Sequence, residues 1–103
     1  MVRVDCRTLQ RYSVALFESV GVPPADAVMV ADSLMEADLR GVASHGTTRV
    51  GIYVERFQAG AVNPRPTIAV IRETPTTVLL DGDNGLGAVV GVRAMHEGIR
   101  HSA

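Results

Sequence analysis

The chain carries one cysteine, Cys6, in 103 residues. A lone thiol closes no internal disulfide, and no Cys or His close in sequence makes it part of a metal site. It reads as an ordinary thiol near a chain end, and a cytoplasmic location is the expectation. Tryptophan is absent and aromatics make up 4% of the residues. The core is therefore expected to rest on Val, Leu, Ile, Ala and Met. Neither sign of charge is in excess: 10 basic residues face 11 acidic ones, for a formal net charge of -1. That balance speaks against nucleic acid or an anionic membrane surface as the main partner. No apolar run approaches the roughly 18 residues of a membrane span. Met1-Val2-Arg3-Val4-Asp5 lacks the apolar core of a signal peptide. There is no internal repeat and no low-complexity tract.

What is present is a 47% hydrophobic chain of single-domain size. Residues 5 to 20 read as a helix capped by Asp5, with Leu9, Tyr12, Leu16 and Val20 as its apolar stripe. Gly21 stops it. A second helix opens at Pro23-Pro24, places Asp26 in its first turn, and buries Ala27, Val30, Ala31 and Leu34 before Gly41. Asn63-Pro64-Arg65-Pro66 is a stiff connector at which the pattern changes from helical to period two. Thr67 to Arg72 and Thr76 to Leu80 read as two strands of a hairpin. A glycine-rich loop, residues 81 to 87, leads to a fourth helix from about Leu86 to His101. Its core stripe is expected to be Ala88, Val92, Met95 and Ile99, beside a small-residue face of Gly87, Gly91, Ala94 and Gly98 that invites close approach. The fold class is thus α+β: a helical bundle over 1–62, then the beginning of an α/β domain over 63–103. Two strands make a marginal sheet, and nothing returns to cover the last helix. The chain reads as the front part of a longer protein.

Reactive side chains gather in one place, Asp38 to Tyr53. A third helix is expected from an N-cap at Ser44 to about Gln58, ended by Gly60. Gly46, Val50, Val54 and Phe57 would be its buried stripe. His45, Arg49, Tyr53 and Arg56 would form the neighbouring one, at the rim of a pocket. An imidazole can move a proton near neutral pH. A guanidinium can grip a carboxylate through two parallel hydrogen bonds. A phenol adds a further hydrogen bond. These groups suit a small substrate with a carboxylate next to a carbonyl or hydroxyl. Asp38 continues the buried stripe of the second helix one turn beyond Leu34. It reads as a structural acid that caps the next turn or pairs with Arg40 or Arg49, ahead of a direct chemical role.

Other chemistries fit less well. The glycine-rich loop fails the dinucleotide fingerprint, which needs Gly where Val90 stands, and it lacks the Lys-Ser/Thr of a phosphate loop. It reads as a tight strand-to-helix turn. His45, His96 and His101 do not make a zinc-spaced cluster, and no metal is expected. Ser44 and His45 are adjacent but lack the Gly-x-Ser-x-Gly setting of an acyl-transfer nucleophile.

The string Asp38-Leu39-Arg40-Gly41-Val42-x-Ser44-His45-Gly46-x-x-Arg49-x-x-x-Tyr53, with Gly60 and Asn63-Pro64 after it, resembles the N-terminal signature of the type 2 malate/L-lactate dehydrogenases. Ureidoglycolate and sulfolactate dehydrogenases, diketogulonate reductase and the piperideine-carboxylate reductases belong to the same family. The resemblance extends through the second strand and Gly85-x-Gly87, so it covers the chain but only the front of the family's length. It implies an oxidoreductase using NAD or NADP on 2-oxo or 2-hydroxy acids. It further implies His45 as proton donor, Ser44 as its support in a relay completed by an acid from later in the chain, and Arg49 and Tyr53 as substrate holders. Relatives are commonly homodimers. Which residues touch the cofactor is left unassigned, and the 103-residue chain alone is expected to be inactive. The alternative is a truncated, non-catalytic helical interaction module that associates through the last helix.

Overall fold

The computed structural model describes residues 3–102; the pair Met1-Val2, read above for a leader, lies outside them. Four α-helices and one hairpin follow in the order α1 (Cys6–Ser19), α2 (Pro24–Leu39), two single 3₁₀ turns (Ala43–His45 and Thr47–Arg49), α3 (Val50–Gln58), β1 (Ala69–Glu73), β2 (Val78–Asp81) and α4 (Gly87–Ser102). No described helix is long and apolar enough to cross a membrane.

The helix ends follow their residues. The Asp5 carboxylate accepts the Arg7 N–H and caps α1. Pro24 occupies the first turn of α2, where its missing N–H costs nothing. Gly21, Gly41 and Gly60 follow α1, α2 and α3 at φ of +96°, +78° and +76°, a conformation that L side chains rarely adopt.

The core lies between α1, α2, α3 and the start of α4. Phe17, Val22, Ala27, Val30, Leu34, Val50 and Phe57 form it, and Leu86 and Val89 join from the second half of the chain. Phe17 and Phe57 meet edge to face, with ring centroids 6.4 Å apart. The core is mostly aliphatic, as expected, with Phe57 from the expected stripe; Phe17, outside the stripe expected for α1, joins it.

Two apolar stripes are corrected. In α1, Ser13 and Phe17 are the buried pair, while Tyr12 is 63% exposed. The buried face is turned one residue from the expected one because Phe17 brings more apolar surface than Tyr12. Ser13 is accommodated by donating its hydroxyl to the Leu9 carbonyl, 2.9 Å away. In α4, Val89 is buried, Ala88 and Val92 are half-buried, and Met95 and Ile99 are 64% and 59% exposed. The first turns of α4 pack into the core; the later ones run past it beside the hairpin. Ideal Cβ atoms at Gly87, Gly91 and Gly98 would meet nothing within 4 Å, so no described element uses the small-residue face.

The strands form the antiparallel hairpin expected, with Ala69 opposite Asp81, Val70 opposite Leu80 and Glu73 opposite Val78, and a register shift between Val70 and Arg72. The glycine-rich loop is a tight turn. Asp83 and Asn84 both adopt positive φ, and the Gly85 N–H donates to the Gly82 carbonyl at 2.9 Å. It is tied to the connector: Asp83 accepts from the Thr67 N–H and the Asn63 amide, and the Asn84 amide donates to the Ala61 carbonyl. An added Cβ at Gly85 would lie 2.8 Å from the Pro66 ring, so only glycine fits against this connector.

Candidate active site

The site grows out of the end of α2. Gly41 turns the chain, and the first 3₁₀ turn carries Ser44 and His45 outward. The expected continuous third helix is corrected. Gly46 has ψ of -149°, which breaks the helical path and separates the two 3₁₀ turns, and α3 begins only at Val50. Ser44 therefore lies within a turn and is no N-cap.

The Ser44 hydroxyl and His45 Nδ1 are 3.0 Å apart. That contact occupies one ring nitrogen and leaves Nε2 free to face a ligand. Arg49 is half-buried, and its Nε donates to the Ser44 carbonyl at 3.0 Å. Its terminal amino groups have no carboxylate partner among the described residues. Ser44, His45 and Arg49 are thus brought together by hydrogen bonds. Tyr53 is half-buried on α3 against the core, with no hydrogen bond to the other three. His45 and Ser44 are exposed on an open surface. A neighbouring apolar groove of about 400 Å³ runs between Leu9, Tyr12 and Leu16 of α1 and Thr47, Thr48 and Val50. His45, Arg49 and Tyr53 do not line it.

Asp38 resolves in favour of the structural reading. Its carboxylate accepts the Thr47 N–H at 3.2 and 3.3 Å and also the Thr47 hydroxyl. It pairs with neither arginine named for it: Arg40 binds Glu36 at 2.9 Å and Arg49 binds the Ser44 carbonyl.

A second polar cluster was missed because its members are far apart in sequence. Ligand atoms of Glu73, Glu97 and His101 lie within 4.8 Å of one another. Arg100 already supplies positive charge there, 2.6 Å from Glu97 and 3.3 Å from Glu73. The Arg100 hydrogen bond, ahead of opposing desolvation, holds the Glu97 carboxyl below its ordinary value of 4.5. The same Glu97 contact raises Arg100. This network ties the end of α4 to β1.

Comparison with known proteins adds a second line of argument. The sequence pattern of the family described as malate/L-lactate dehydrogenase matches residues 4–103. A malate dehydrogenase of Pyrococcus horikoshii is 48% identical over 99 residues, 96% of this chain and 28% of that one. An L-sulfolactate dehydrogenase of Methanocaldococcus jannaschii is 41% identical over 87 residues, covering 84% of this chain and 25% of that one. The solved malate dehydrogenase of Pyrococcus horikoshii superposes with a TM-score of 0.94 at 48% identity, over 98% of this chain and 29% of that one. The chain thus spans little more than a quarter of the length of these relatives.

Proposed function

The chain belongs to the malate/L-lactate dehydrogenase family, and from that premise we propose that it is the N-terminal, proton-donating part of an oxidoreductase acting on small 2-oxo and 2-hydroxy acids. The observation that carries this reading is the hydrogen-bonded set Ser44, His45 and Arg49. When the His45 ring carries both protons, Nδ1–H donates to the Ser44 oxygen and Nε2–H points outward, able to pass its proton to a carbonyl oxygen as the carbonyl carbon accepts hydride; the ring is left neutral with its remaining proton on Nδ1. In the oxidative direction Nε2 accepts that proton, and Nδ1–H donates to Ser44. Arg49 uses Nε to hold the loop, which leaves its two terminal amino groups for a substrate carboxylate. Tyr53 adds a hydrogen bond from α3.

The cofactor, NAD or NADP, is proposed from family membership alone. The glycine-rich loop lacks the dinucleotide fingerprint and spends its polar groups on the connector, so no residue of this chain is assigned to the cofactor. Isolated, the chain is accordingly proposed to be inactive. The complete enzyme is proposed to be a cytoplasmic homodimer on a small carboxylate substrate, with residues 1–62 as its helical region and 63–103 as the start of its α/β domain.

A chimera in which residues 4–103 replace the matching part of the Pyrococcus horikoshii malate dehydrogenase tests the proposal. Oxidation of malate or lactate by NAD or NADP is expected from the chimera and absent from the 103-residue chain. Failure of a folded chimera with every 2-hydroxy acid tried would contradict it. The exposed Met95 and Ile99 favour a second reading, a non-catalytic association module. That reading expects concentration-dependent self-association of the chain and an inactive chimera.

A further inference from the structure

We propose that Asp38 is a positioning residue for His45: from the last turn of α2 it fixes the loop on which Ser44, His45 and Arg49 stand. The functional side of this inference rests on the acid/base reading of His45. The geometry is that of a carboxylate used as a clamp. Asp38 sits one helical turn beyond buried Leu34, on the inward face of α2, and is half-buried. A carboxylate withdrawn from water needs a cation or hydrogen-bond donors. No cation pairs with it among the described residues. The Thr47 N–H and hydroxyl provide the donors instead.

Gly46 shows how close the clamp is. An added Cβ there would lie 1.7 Å from Asp38 Oδ1 and 2.5 Å from its Cγ. The φ of Gly46 is -99°, which any residue adopts, so the glycine is required for space and not for conformation. The other side of the loop is closed as well. The Thr48 hydroxyl donates to the Ala43 carbonyl at 3.0 Å, and Arg49 Nε donates to the Ser44 carbonyl. The exposed imidazole is therefore carried on a backbone anchored on both flanks. A proton donor needs this, since a displacement of about 1 Å at a reacting group can cost roughly a hundredfold in rate. Asp38 and Gly46 act on the substrate only through His45 and Arg49.

The test uses the 103-residue chain labelled with ¹⁵N in its histidine rings. His45, His96 and His101 are the three signals, and His45→Gln assigns the first. In the wild-type chain His45 is expected in a single tautomer, with Nδ1 hydrogen-bonded to the Ser44 hydroxyl. Asp38→Ala and Gly46→Ala should move the His45 ring to the shifts of Ser44→Ala, while His96 and His101 stay in place. Asp38→Asn, which keeps an acceptor oxygen for Thr47, should restore the wild-type ring signals. Should Asp38→Ala fail to fold, Thr47→Val removes the hydroxyl bond alone and must shift His45 in the same direction. Wild-type His45 signals in folded Asp38→Ala, or in folded Thr47→Val, would overturn the proposal. This readout needs no turnover. It stands apart from the chimera assay, so a failed clamp and a failed acid/base assignment are separable.

Discussion

Arg49 illustrates how a residue divides its donors. Nε is committed to the Ser44 carbonyl, and the outer pair of amino groups remains. Lysine can replace neither the anchor nor a two-pronged grip. In the active chimera, Arg49→Lys should raise KM roughly tenfold to a hundredfold, the loss of a charged hydrogen bond of about 1.5–3 kcal/mol. Steady-state kinetics check this; an unchanged KM would make Arg49 only a surface charge. The grouping of Ser44, His45 and Arg49 was legible because reactive residue types cluster there and scatter elsewhere. Their geometry was not. Periodicity assumed one helix, whereas Gly46 followed by two threonines is a poor helix start. The partner of Asp38 was illegible for another reason: Thr47 lies nine residues away across a turn, and no spacing rule specifies that contact.

Among the elements, α2 does the most positioning. Its buried face fills the core and its last turn holds the site loop. The pivot of that core is Phe17, fully buried against Phe57. Phe17→Ala should cost roughly 3–5 kcal/mol, a large part of the 5–15 kcal/mol that stabilises ordinary domains. Urea denaturation should show the midpoint falling sharply, and a change below about 1 kcal/mol would contradict the packing described. The end of α4 depends on acid-base state. Glu97 is held below its ordinary value by Arg100, so its contribution is present above that ordinary value and is lost as pH falls through the lowered one. Amide exchange at the C-terminal turns of α4 should accelerate in acid, and Arg100→Gln should abolish that pH dependence. Asp5, Pro24, Gly21, Gly41 and Gly60 made most helix ends readable, but the start of α3, expected at Ser44, lies at Val50. The faces of α1 and α4 were less so, because a stripe of apolar letters does not say which neighbour exists to cover it.

At the scale of the whole molecule, one core joins the helical half to the start of α4, and the hairpin with the later turns of α4 leaves Ile71, Leu79, Met95 and Ile99 exposed. The chain matches the front of dehydrogenases more than three times its length, and the site proposed for it would supply groups for a proton and a carboxylate. The division of labour between those groups is the central claim. Single-turnover kinetics of the chimera test it most directly, comparing wild-type and His45→Ala for both the rate of hydride transfer and the substrate Kd. The account predicts a rate loss of about 10²–10⁴-fold with Kd nearly unchanged. A His45→Ala chimera that transfers hydride at the wild-type rate would contradict it.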